Sequence, residues 1–120
     1  MEVEKGYTYD DVLLIPKFSN IPSRSTIDIS TDLGRGVKLK VPIISANMRD
    51  VTGVRMATTI AKLGGLAILH RFDGPGYNQA KAFEDATHCG SEYVNNIGVS
   101  VGVQSEDITR ADHLVGMGAK

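Results

Sequence analysis

Apolar and polar positions follow different rules in the two parts of the chain. Residues 1–40 carry short apolar pieces broken by Pro16 and Pro22, with no sustained period. Residues 27–30 alternate, and Gly34 and Gly36 separate them from the apolar Val37, which predicts an antiparallel hairpin. From Val41 onward a cycle sets in of short apolar run, polar break and helix-period segment. The run 41–46 reads as a buried strand, with Pro42 tolerated at its start. Asp50 and Thr52 are candidate N-caps for a helix over 53–63. Met56, Ile60 and Leu63 share its inner face, with Ala57 and Ala61 beside them, and Gly64-Gly65 end it.

The cycle then repeats. Residues 66–69 form a second buried strand closed by His70, and a loop with Gly74, Pro75 and Gly76 leads to a helix around 77–87. Tyr77, Ala80 and Phe83 mark the inner stripe of that helix. Residues 97–103 give a third strand. Ser105 caps a last helix whose first turn carries Glu106 and Asp107, favourable near the positive end of the macrodipole. Ile108, Ala111, Leu114 and Val115 face inward there, and Gly118 supplies the stop. Three strand–helix units of roughly 30 residues each are what right-handed parallel β/α connections require. A doubly wound sheet and a (β/α)₈ barrel share this texture.

Composition narrows the class. With 120 residues there is room for one domain at most. A formal net charge of -1, with both signs interspersed, offers no basic stripe to nucleic acid. Apolar runs such as 12–15 and 66–69 are too short to span a bilayer, and the N-terminus lacks a signal peptide's basic and apolar regions. The single cysteine, Cys89, excludes an internal disulfide and fits a reducing compartment. The expectation is a soluble, cytoplasmic chain without nucleic-acid or membrane partners.

In parallel β/α folds, functional side chains gather where strands end. Three such places stand out. Ser45-Ala46-Asn47-Met48 offers hydrogen-bonding groups and an adaptable thioether, or else a tight turn with Met48 as packing. His70-Arg71 with Asp73 nearby suits a phosphate or carboxylate, or else holds a surface ion pair and a structural histidine. Gly98, Ser100 and Gly102 mark close backbone approach or crowded packing. Gly98-Val99-Ser100-Val101-Gly102 does not open a helix in the dinucleotide-binding sense, and no P-loop occurs. His70, His88 and His113 lack metal-ligand spacing with Cys89, so no metal is expected. Asp10-Asp11 reads as capping of a local turn rather than as a catalytic pair.

Ordered motifs carry more than their individual chemistry. Tyr9-Asp10-Asp11-Val12-Leu13-Leu14-Ile15-Pro16 resembles the opening signature of IMP dehydrogenases and GMP reductases. Ser23-Arg24-Ser25, Val41-Pro42-Ile43-Ile44-Ser45-Ala46-Asn47-Met48, Gly65-Leu66-Ala67-Ile68-Leu69-His70-Arg71 and Val99-Ser100-Val101-Gly102-Val103 follow in register. The resemblance implies a (β/α)₈ barrel, normally a homotetramer, acting on a purine nucleoside monophosphate with NADP or NAD. Nothing in these residues bears on potassium. In the family a cysteine on a later loop attacks C2 of the purine. The adduct is oxidised by NAD in the dehydrogenase, or reduced by NADPH after ammonia leaves in the reductase.

By the same resemblance Ser45, Asn47 and Met48 match the segment lining the nucleotide pocket. His70 and Arg71 match the cofactor side, where the basic residue contacts the dinucleotide in reductases. Ser23 and Arg24 match a pair that reaches the dinucleotide of a neighbouring subunit. Arg49-Asp50-Val51 departs from the family's usual Asp-Thr-Val and alters charge at the pocket mouth. No nucleotide-sensing CBS insert follows the second helix. That, with His70-Arg71-Phe72, leans towards GMP reductase, with IMP dehydrogenase without CBS modules as the alternative. Cys89 does not match the attacking cysteine, so no catalytic residue is assigned here. The chain is expected to be the N-terminal portion of one barrel, an arm and hairpin over 1–40 and three β/α units over 41–120. Alone it is expected to be inactive, either completed by a complementary chain or acting as a nucleotide-binding or interaction remnant.

Overall fold

The computed structural model describes residues 4–72, 74, 78–88 and 90–119, apart from the Ser91 side chain. A hairpin of β1 (Thr31–Asp32) and β2 (Lys38–Leu39) precedes α1 (Val54–Lys62), β3 (Ala67–Leu69), α2 (Gln79–Thr87), β4 (Ile97–Val99) and α3 (Ser105–Gly116). Short 3-10 turns lie at Tyr9–Asp11, Arg24–Thr26 and Ser91–Asn96. The result is a mixed α/β fold.

β3 and β4 pair in parallel, with Ala67 opposite Ile97 and Leu69 opposite Val99. On the other side of β3, Ile44 bridges Leu66, also in parallel. Three parallel segments therefore lie side by side with β3 in the middle, as the alternating pattern predicts. The first is shorter than expected: the run 41–46 pairs regularly only at Ile44. Pro42 has no N–H to give, and Lys40 and Val41 both donate to the Gly64 carbonyl instead. Beyond Ile44 the Ser45 hydroxyl accepts from the Ile68 N–H at 3.3 Å, taking the donor that would extend the ladder. The third strand likewise stops at Val99 rather than running to 103, because the buried Gln79 amide donates to the Ser100 carbonyl at 2.7 Å.

The hairpin forms around Gly34 and Gly36, but its first strand lies at Thr31–Asp32, beyond the alternating 27–30. The Asp28 carboxylate accepts from the Ser30 N–H at 2.9 Å and turns that stretch away from the ladder.

The helices form where their period predicts, and Ile60, Phe83, Ala111 and Leu114 turn inward as expected while other members of the expected stripes face outward. In α1 the buried residues are Ala57 and Ala61, while Met56 and Leu63 are exposed. One residue of offset is a rotation of about 100°, and the small alanines let the helix lie close against β3 and β4. In α3 Leu114 and Asp107 are buried, Ala111 is half-buried, and Ile108 and Val115 face outward. In α2 Phe83 is buried as expected, joined by Gln79, Ala82 and Ala86 with Ala80 half-buried; Tyr77 lies outside the described residues.

The caps also differ. Gly53, not Asp50 or Thr52, stands at the N-cap of α1, since the Thr52 hydroxyl is committed to the Ala46 carbonyl. Gln104, not Ser105, stands at the N-cap of α3, where its N–H donates to the Asp107 carboxylate at 3.1 Å. Asn78 caps α2. Gly64 ends α1 at φ +85°, where a Cβ would meet the Lys40 side chain at 2.6 Å. Only glycine fits both demands.

The core is one cluster built on Phe83, Leu69, Ile97, Leu114 and the alanines of α1 and α2. Burying a side chain like Phe83 contributes about 1.5–3 kcal/mol. Residues 4–30 take no part in it and are exposed throughout. They account for a radius of gyration of 18.2 Å, against about 14 Å for a compact chain of this length. Among the described residues no helix is long and apolar enough to cross a membrane.

Candidate functional site

Because the three segments are parallel, their C-terminal ends open on one edge. The connections leaving that edge enclose a cleft of about 510 Å³ lined by Asn47, Met48, Arg49, Asp50, Arg71, Phe72 and Ser100. Residues that the sequence places in three separate motifs thus meet in one place.

Ser45 supports this edge rather than lining the cleft. It is half-buried, its N–H donating to the Leu66 carbonyl at 2.9 Å and its hydroxyl oxygen occupied by Ile68. Asn47 and Met48 follow it on an exposed turn, with Met48 60% exposed. That turn is closed by Val51 and Thr52, whose N–H groups both donate to the Met48 carbonyl at 3.0 Å. Arg49 reaches towards the next loop, close enough that a Cβ on Gly74 would lie 2.7 Å from its guanidinium. The departure Arg49-Asp50 therefore puts a cation and an anion on the cleft wall.

His70 and Arg71 are neighbours with opposite settings. His70 is buried, and its Nδ1 accepts from the Phe72 N–H at 3.3 Å. Arg71 lines the cleft. Its guanidinium lies 5.2 Å from the Phe72 ring centre, within cation–π range, and 3.9 Å from the Asp107 carboxylate. The pairing with Asp73 suggested by proximity in sequence falls outside the described residues, as does Cys89. Ser100 closes the third side, its N–H and hydroxyl both donating to the Leu69 carbonyl at 3.0 Å. The bare face of Gly98 serves packing, since a Cβ there would lie 2.9 Å from the Ile68 side chain.

Ser23 and Arg24 lie outside this cleft, on the exposed arm. Ser23 caps its own 3-10 turn, accepting from the Ser25 N–H at 3.3 Å. Among the described residues no group of three or more His, Cys, Asp or Glu is placed to hold a metal ion.

Three residues that support the site, Gln79, Asp107 and Arg110, carry no functional signal in the sequence, and neither does Asn96 at the opposite end of the strands. Gln79 and Asn96 look like ordinary polar helix and loop positions, yet Gln79 holds Ser100 and the Asn96 amide donates to the Gly65 carbonyl at 2.8 Å. Asp107 reads as a macrodipole acid, yet it is buried beside the Arg71 guanidinium. Arg110 reads as a surface cation, whereas its guanidinium donates to the Arg71 carbonyl at 2.9 Å.

The cleft offers an amide, a thioether, an aromatic ring, a hydroxyl, one carboxylate and two guanidinium groups, with cations outnumbering the single anion. Such a set suits a planar base with an anionic substituent. Comparison with known proteins identifies the family. The model of the IMP dehydrogenase / GMP reductase domain matches residues 6–120. An inosine-5'-monophosphate dehydrogenase of Nitrosopumilus maritimus is 50% identical over 72 residues, 60% of this chain and 15% of that protein. One of Methanocaldococcus jannaschii is 51% identical over 71 residues, 59% of this chain and 14% of that protein. A GMP reductase of Leishmania donovani is 50% identical over 68 residues, 57% of this chain and 14% of that protein. The matched part of the chain thus spans about one-seventh of these relatives' length, and both activities occur among them at equal identity. The chain belongs to the IMP dehydrogenase / GMP reductase domain family of oxidoreductases.

Proposed function

We propose that this chain supplies the first three β/α units of a (β/α)₈ barrel and forms one wall of its purine-nucleotide site. Within the family we assign it to the GMP reductase reaction, GMP to IMP with NADPH. The observation that carries the reading is the convergence of Asn47, Met48, Arg71 and Ser100 on one cleft at the C-terminal ends of parallel segments. In this reading Met48 packs on the purine ring, Asn47 hydrogen-bonds the nucleotide, and Ser45 holds their turn in place. Arg71 faces an anionic part of the dinucleotide, whose role is to deliver hydride to C2 of the purine. The cleft fits that division, with its thioether on one wall and a half-exposed guanidinium on the other. The arm bearing Ser23 and Arg24 extends to the dinucleotide site of a neighbouring subunit in a homotetramer.

The alternative with specific support is IMP dehydrogenase, the name borne by two of the relatives described above. Native mass spectrometry of the purified chain, beside turnover assays with GMP or IMP and NADPH or NAD, decides between them. GMP-dependent NADPH oxidation in a heavier assembly supports the reductase, and IMP-dependent NAD reduction replaces it with the dehydrogenase. The chain by itself is expected to bind nucleotide weakly and to turn over neither substrate. Arg71→Ala is expected to weaken NADPH binding about tenfold while sparing GMP. Equal loss of both ligands removes the role given to Arg71.

A further inference from the structure

Helix α3 grips Arg71 at both ends. Its Arg110 donates to the Arg71 carbonyl at 2.9 Å, and its Asp107 carboxylate lies 3.9 Å from the Arg71 guanidinium. Three residues apart, Asp107 and Arg110 share one face of the helix. The two members of the ion pair are unequally placed, the Asp107 side chain 8% exposed and that of Arg71 43% exposed. Asp107 is therefore the anchored partner and Arg71 the one presented to the cleft.

Two further contacts make the anchor rigid. The Asp107 carboxylate also accepts from the Gln104 N–H at 3.1 Å, which fixes the direction in which it points. Gly102 passes beside the pair so closely that a Cβ would collide with both the Asp107 carboxylate and the Arg71 guanidinium. The missing side chain is what lets the two groups approach, a close-approach use of glycine rather than a turn.

We propose that Asp107 is a positioning residue for Arg71, and that Arg110 and Gly102 complete the latch. The latch holds the guanidinium by charge so that its N–H groups face the cleft, ready for an anionic group of the dinucleotide. It removes part of the ordering cost of binding and ties the loop after β3 to the start of α3. The functional half of this inference rests on the reading of Arg71 as a dinucleotide contact; the latch itself does not.

The test is ¹⁵N NMR of the full chain, following the Nε–Hε signal of Arg71. In the wild type this group is expected to be ordered on the nanosecond scale. In D107N it is expected to relax like the exposed Arg35, with the core amide spectrum unchanged, because an asparagine still accepts from the Gln104 N–H. D107E is expected to restore part of the order, and G102A to loosen Arg71 by steric displacement. NADPH is expected to bind D107N about threefold to tenfold more weakly than wild type. An Arg71 side chain as ordered in D107N as in wild type overturns the latch. Tighter NADPH binding by D107N makes Asp107 a competing counter-ion and overturns positioning. If the latch loosens as described but wild type and D107N bind NADPH equally tightly, the latch stands and the dinucleotide reading of Arg71 falls.

Discussion

The N-terminal arm and the parallel β/α core contain the same kinds of apolar residue and treat them in opposite ways. Leu14 and Phe18 are 97% exposed, while Phe83 and Leu114 are fully buried. Apolar content does not make the difference. Along α2, Gln79, Ala82, Phe83 and Ala86 recur at helical spacing, so one rotation buries them together. In the arm, residues 12–15 are apolar without a break and Pro16 follows, so no regular element can turn them all to one side. The arm's hydrogen bonds are correspondingly local, joining Thr8 to Asp11, Ser19 to Ile21, Ser23 to Ser25 and Asp28 to Ser30. Its exposed run from Val12 to Ile15, with Phe18, is the kind of surface that another protein surface covers. That agrees with the proposal that the arm reaches a neighbouring subunit.

The largest expected effect contrasts the two regions directly. Phe83→Ala should cost about 3–5 kcal/mol, enough to abolish cooperative unfolding in urea followed by far-UV circular dichroism. Leu14→Ser should stay within about 0.5 kcal/mol by the same measurement. A Leu14 variant as damaging as the Phe83 variant would mean the arm packs on the core in solution.

Next comes a pair of glycines with nearly the same backbone. Gly64 and Gly34 sit at φ +85° and +84°, but only Gly64 is crowded, by Lys40. Gly34→Ala should cost about 1 kcal/mol for left-handed backbone alone, and Gly64→Ala clearly more. Equal costs in parallel denaturation curves would mean that Lys40 simply moves aside.

Asn96→Ala should cost about 1 kcal/mol through loss of its bond to the Gly65 carbonyl. Hydrogen exchange should quicken at Leu66 and Ala67, next to that carbonyl, and leave the arm untouched.

The smallest effect belongs to the arm. Bonds from the Thr8 backbone N–H, and then from its hydroxyl, hold the Asp11 carboxyl below the usual aspartate range. A lowered value means the turn's stabilisation is present above the ordinary aspartate pKa and is lost as pH falls through the lower folded value. The Thr8 amide shift should therefore titrate with a midpoint below that of a free aspartate, while the core's unfolding midpoint does not follow it. A Thr8 midpoint at or above the free-aspartate value would deny the turn.

Much of the chain's organisation is legible from residue order. The strand–helix cycle, the hairpin around Gly34 and Gly36, the helix stops at Gly64 and Gly118, and the local turn at Asp11 all depend on neighbours within a few positions. The family motifs are legible for the same reason, being contiguous stretches. The errors share a cause as well. Met56 and Leu63 fit an inner stripe as well as the neighbouring Ala57 and Ala61 do, and Ile108 and Val115 flank Leu114, which is buried as expected; periodicity cannot say which part of a broad apolar face is covered.

Only the tertiary structure made that choice, because the buried face is the one whose small or well-shaped residues fit the neighbouring sheet. It also decided that His70 is a buried, hydrogen-bonded ring while Arg71 faces the cleft, and that Arg71 is held by α3. Arg110 reaches its carbonyl from 39 positions away. A contact of that span follows from how parallel crossovers bring strand ends together, which no local spacing encodes. Residue order determined the elements and the family; packing determined the faces, the partners and the geometry of the site.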